Sequence, residues 1–225
     1  MDKQAISTFY HIGIEVDFEN IYSYCKFTEA ALEQEKEKFI SIHNTRVNEL
    51  TPEDKRKFDE LAIEIHWKLH DVFPTLQWTS IFNSAYSLFE RHLNDLCVIL
   101  GKHAATKIEL TDLNGHGIER AKIFLSKIVG ITKVFGSTEW TDIQNYAKVR
   151  NILVHTSGKL DLTKEKHKKV FDYAKRQPKL VVYPEEPESG WSQIIILPEY
   201  IYDSLLSYRI FLGKICKHNL ESNDG

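Results

Sequence analysis

Arg150-Asn151-Ile152-Leu153-Val154-His155-Thr156-Ser157-Gly158 runs an arginine, an asparagine and a histidine through an otherwise apolar helical stretch. A helix that buries itself has little structural use for three such side chains. Five residues turn a side chain by about 140° net on an ideal helix, so Arg150 and His155 occupy different faces. Asn151 and His155, four apart, share one. Gly158 is a natural left-handed helix stop, which puts His155 in the last turn, clear of the bundle wall yet rigidly attached to it. The set offers a proton-transfer group in His155, five fixed donors suited to phosphate oxygens in Arg150, and an orienting amide in Asn151.

The helix carrying these residues starts at Ser137-Thr138-Glu139, and Trp140, Ile143, Tyr146, Ala147, Val149, Ile152, Leu153 and Val154 surround it almost completely with apolar groups. A helix greasy on nearly every side is either central or shared between subunits. Helical periodicity also governs most of the chain around it. Residues 18 to 50 read as a helix with an acidic solvated face, and Thr51-Pro52-Glu53-Asp54 starts another that runs to Pro74. His66 and His70 are spaced as in a zinc-protease helix, but Trp67 stands where that chemistry needs a glutamate, so they read as ordinary helix histidines. A broad apolar helix follows from Leu76 to Leu100, ending at Gly101. Asn114-Gly115-His116-Gly117 reads as a turn, and a shorter helix runs from Ile118 to Val129, closed by Gly130.

Downstream, residues 159 to 179 hold eight basic against three acidic side chains, a surplus of five in a chain of net charge −3. That strip reads either as a track for an RNA backbone, through Lys166, Lys168 and Lys169, or as a solvated helix face. Residues 179 to 183 and 191 to 197 read as the arms of a β-hairpin, and Pro198 starts a last helix. Residues 1 to 17 read as an extended arm or a docked coil. The expected architecture is an all-α bundle of six or seven helices, one domain over residues 1 to 225, with a hairpin inserted at about 179 to 197.

The residues by themselves leave two readings of the opening stretch: a catalytic set, or an arginine paired across the bundle beside a histidine bonded at a helix C-terminus. The run from Arg150 to His155 resembles the Arg-polar-x-x-x-His signature of the HEPN superfamily (higher eukaryotes and prokaryotes nucleotide-binding). Phe82 to Leu96, with Phe89, Glu90, Arg91 and Leu93, resembles an earlier helix of those proteins, where an acidic residue often faces the motif. The resemblance covers roughly residues 75 to 160. It implies a helical bundle and a metal-independent endoribonuclease acting as a homodimer, its two motifs facing each other across the interface. Arg150, Asn151 and His155 are then the catalytic residues, and RNA is the substrate. It also implies toxin or phage-defence roles, with an antitoxin or defence-system protein as partner; some relatives are binding modules without activity.

Composition bounds these expectations. A pI near 6.4 excludes a generally basic nucleic-acid coat, though not a local basic strip. Cys25, Cys97 and Cys216 are odd in number and form no CxxC pair, which argues against a zinc cage or disulfide framework and suits a reducing cytosol. There is no charged-then-apolar leader and no apolar run near 18 residues, so a cytoplasmic protein with no membrane partner is expected. Neither a metal nor an organic cofactor is expected.

Overall fold

The computed structural model describes residues 3–221, seven α-helices and one small sheet among them. The helices are α1 (Lys3–Arg46), α2 (Pro52–Trp67), α3 (Phe73–His103), α4 (Gly117–Ile123), α5 (Thr138–Thr156), α6 (Glu165–Ala174) and α7 (Pro198–Glu221). The strands are β1 (Lys159–Asp161), β2 (Leu180–Tyr183) and β3 (Trp191–Ile196). The all-α bundle expected from periodicity is the architecture found.

Aromatic rings build its centre, where α3, α5 and α7 meet. Phe89 of α3 stacks on Tyr208 of α7 with centroids 4.5 Å apart, and Trp140 of α5 stacks on Phe211 at 5.1 Å. Tyr146 meets Tyr208 edge-on at 5.8 Å. Edge-on and offset pairs suit the ring quadrupole, and these rings are among the most deeply buried side chains.

The N-terminal segment is neither extended arm nor coil. One 44-residue helix begins at Lys3 and runs through Gly13; Met1 and Asp2 lie outside the described residues. Its apolar positions Ile14, Phe18 and Cys25 are buried, and its polar face is tied down at intervals. Arg209 Nε of α7 donates to Glu15 at 2.8 Å, Tyr202 donates to Glu29 at 2.8 Å, and Arg91 of α3 reaches Asp17 at 2.8 Å. The pairings run antiparallel, low numbers of α1 against high numbers of α7. Past Leu32 no α1 residue is buried, and α1 pairs instead with α2, where the His43 and Phe58 rings stack at 5.4 Å.

Pro74 does not stop the helix before it. Proline lacks the N–H for the usual bond to a carbonyl four residues back. A π-helical turn at Lys68–Val72 re-registers the ladder, with the Phe73 N–H bonding five residues back to Lys68 O, and α3 continues without a break. The His66 and His70 rings stack at 4.1 Å beside this turn. Thr51 caps α2 as its sequence requires, accepting the Asp54 N–H at 3.3 Å. Helix α3 reaches His103, two residues past Gly101. Gly101 is a packing site rather than a stop: a Cβ there would lie 2.8 Å from Phe124 Cζ.

The expected hairpin is two thirds of a three-stranded antiparallel sheet in the order β1-β3-β2. Leu180 opposes Ile196 and Val182 opposes Ile194, and all four are buried against the helices. The third strand, β1, comes directly after the motif helix, with Leu160 opposite Ser192. It corrects the reading of residues 159 to 179 as one strip: they are a strand, a turn and α6. Two strands alone are marginal, and the third edge together with the helical cover supplies what the pair lacks.

Candidate functional site

Ser137 Oγ accepts the Trp140 N–H at 3.3 Å and fixes the start of α5. Its end is fixed as firmly. Ser157 and Gly158 both take left-handed backbone, at φ 52° and 84°. Thr156 Oγ1 lies 2.7 Å from Ile152 O and 2.6 Å from Lys159 O, binding the last turn to the strand that follows. Gly158 O accepts the Ile194 N–H at 2.9 Å. His155 therefore stands on a helix end held by the sheet, its own ring exposed and unbonded among the described residues.

The two-residue left-handed exit turns the chain back through β1, so that α6 lies alongside α5. Between them is a groove of about 850 Å³. From α5 it takes Asn145, Lys148, Asn151, Ile152 and His155, one face of the helix. From α6 and its exit it takes Lys166, His167, Lys169, Val170, Tyr173 and Arg176. Four cations line it against one carboxylate, Asp172. Burial raises the Tyr173 phenol above its ordinary range, so it stays protonated.

Arg150 opens elsewhere. On α5 it points away from the groove into a second cleft of about 400 Å³, shared with Tyr86, Glu90, His116 and Gln144. Its guanidinium carbon sits 5.5 Å from the Tyr86 ring centroid, within cation–π reach, and Nη1 donates to Asn151 Oδ1 at 3.3 Å. Asn151 and Lys148 line both clefts. Of the three residues singled out by the sequence, the structure thus links Arg150 to Asn151 and sets Asn151 beside His155. It does not bring Arg150 and His155 into one cavity. The 140° between them survives folding.

Glu90 of α3 belongs to the Arg150 cleft, its carboxylate pressed against Gly117, where a Cβ would lie 2.7 Å from Oε1. Lys166 and Lys169 line the groove as the basic strip suggests. Lys168 is exposed but stands outside it, two residues or about 200° around α6 from Lys166. Sequence reasoning singled out none of Lys148, His167, Arg176 and His116, holding Arg176 only as one charge of the basic strip. The first three could have been found by drawing α5 and α6 as facing wheels, whereas His116 reaches the Arg150 cleft through a loop path that no periodicity encodes.

Among the described residues no three His, Cys, Asp or Glu side chains converge as a metal-ligand set, and no helix is long and apolar enough to cross a membrane. Cys25, Cys97 and Cys216 are buried and not joined as disulfides. No protein-family model, curated protein or solved structure matches this chain.

Proposed function

We propose that the chain is a metal-independent endoribonuclease that works as a homodimer in the cytoplasm. One observation carries the reading: a histidine with no bond among the described residues stands at a rigid helix end, facing a groove lined by four cations. The chemistry that fits is internal transesterification. The 2′-hydroxyl oxygen attacks the adjacent phosphorus, its proton passes to a base, and the P–O5′ bond breaks as the 5′-oxygen gains a proton. The products are a 2′,3′-cyclic phosphate and a 5′-hydroxyl end. His155 moves a proton. The groove lysines hold the backbone, and Asn151 orients the phosphate or the ring. Arg150 stabilises charge growing on phosphorus, and because it opens on the second cleft, it serves the His155 of another copy across a two-fold interface. The resemblance to the HEPN superfamily supports this reading, and a toxin or phage-defence role restrained by a partner protein follows from it.

The separation of Arg150 from His155 favours one alternative, a module of the same fold that holds RNA or a nucleotide in the groove without cutting it. Purified protein incubated with RNA in EDTA separates the two. Wild type should cleave with the stated ends, and His155→Ala should fold with an unchanged melting temperature and not cleave. Binding without cleavage leaves the module. Cleavage that vanishes on chelation and returns with magnesium, or equal cutting of matched DNA, removes the internal nucleophile.

A further inference from the structure

His167 has a fixed ring. The Asp161 backbone N–H donates to its Nδ1 at 3.0 Å, so that nitrogen presents a lone pair and the ring hydrogen resides on Nε2. Nδ1 is thereby committed to the turn after β1. That turn is itself rigid: the Asp161 carboxylate accepts from the Thr163 N–H at 3.1 Å and the Thr163 hydroxyl at 2.5 Å, and sits 3.3 Å from Lys164 Nζ. The Thr163 hydroxyl, with the Thr163 backbone N–H and Lys164, holds that carboxyl below its usual value against the opposing effect of burial, so the turn stays charged and closed near neutral pH. Nε2 carries no bond among the described residues, and the half-buried ring lines the same groove as His155.

We infer that His167 is a second substrate-contacting residue of the groove, its Nε2–H donating to a phosphate oxygen of the RNA. The inference rests on the ribonuclease reading and deepens it. One subunit then supplies two histidines of different kinds. His155, unbonded, is free to exchange a proton; His167, locked from behind by a backbone amide, is an oriented donor. Orientation by a bond to the far ring nitrogen is what fits an imidazole to present a donor without reorganising during the reaction. The lysines nearby supply charge but on flexible stems, so the fixed donor is the group that sets where phosphorus sits.

A pair of substitutions separates this role from turn-capping. The Asn side-chain oxygen falls near the place of Nδ1, so His167→Asn keeps an acceptor for the Asp161 N–H and removes the groove-facing donor. The Gln amide nitrogen falls near the place of Nε2, so His167→Gln keeps the donor and loses the acceptor. With RNA in EDTA, His167→Asn should melt with wild type and lose roughly 10²-fold in kcat/KM, the usual loss for one oriented donor. His167→Gln should melt lower yet recover much of the rate. The reverse ranking, or full activity in His167→Asn, overturns the inference and leaves the ribonuclease reading standing. A second measurement stands apart from turnover. In ¹⁵N-histidine protein, the His167 Nε2–H signal should shift on adding an oligoribonucleotide 2′-O-methylated throughout, which cannot be cut. If wild type does not cleave but that signal shifts, the reaction is wrong and the contact right; if it does not shift, the contact is overturned as well.

Discussion

Gly158→Ala tests how the helix end that carries His155 is held. At φ 84° an L-residue is strained by about 1–2 kcal/mol. An added Cβ would also lie 2.8 Å from Ile194 O, a backbone atom of β3 that cannot swing aside. Relief requires β3 to move by a few tenths of an ångström, weakening the Ile194 N–H to Gly158 O bond at 2.9 Å, itself worth about 0.5–1.5 kcal/mol. The sum is about 1.5–3.5 kcal/mol. Gly130→Ala supplies the comparison: its φ is 88°, but nothing lies within 4 Å of its Cβ, so only the strain of about 1–2 kcal/mol applies. Urea unfolding followed by circular dichroism measures both as shifts in midpoint at constant slope. Gly158→Ala should exceed Gly130→Ala by roughly the value of that hydrogen bond. Equal losses would refute the claim that the helix end is pressed against the sheet.

Stability should fall on acidification. Burial, then Arg91, lowers the affinity of His92 for a proton, against the pull of Asp17 and Asp95. A depressed histidine contributes stability that is whole above its ordinary value of 6.5 and is lost as pH drops through the folded value, so the melting temperature should decline from pH 7 to pH 5, less steeply in His92→Gln. A flat or rising profile contradicts the burial argument. Arg150→Ala and His155→Ala proteins, each inactive, should regain roughly a quarter of native RNA cleavage when unfolded and refolded together, since half the dimers then hold one intact composite site; a mixture that stays dead removes the shared site. Replacing Lys166 and Lys169 with glutamine should weaken RNA binding and flatten its logarithmic salt slope by about 1.4, while Lys168→Gln leaves both unchanged. Equal effects of all three lysines would return the strip to a diffuse surface charge.

The parts of the fold that a sequence spells locally were legible. Thr51-Pro52, Ser137 and Gly130 act through bonds and dihedrals within a few residues of themselves, and each stands where its chemistry demanded. What was hidden depends on contacts distant in the chain. Strand β1 is three residues long, too short for an alternation, and exists because β3 offers it an edge. The helix through Pro74 depends on a π turn whose only local sign is the proline that should have ended it. At the site, the angle between Arg150 and His155 could be computed from spacing alone. The groove could not, because it needs α6 laid against α5 by a left-handed exit and a three-residue strand. His167 went unnoticed for that reason, sitting within a lysine-rich run that reads as solvated charge.

The antiparallel pairing of α1 with α7 also orders events in time. About 150 residues separate the end of α1 from the start of α7. At synthesis rates of about 5–20 residues per second, α1 is complete roughly 8–30 s before α7 begins to emerge. Through that interval Ile14, Phe18 and Cys25 lack the cover of α7, although all three are buried in the finished molecule and Phe18 also meets His92 of α3. The nascent chain therefore carries an open apolar stripe until its last helix arrives, and a chain broken off before Pro198 never closes it. Such fragments should be the forms that chaperones hold and proteases clear, whatever the state of the helices between.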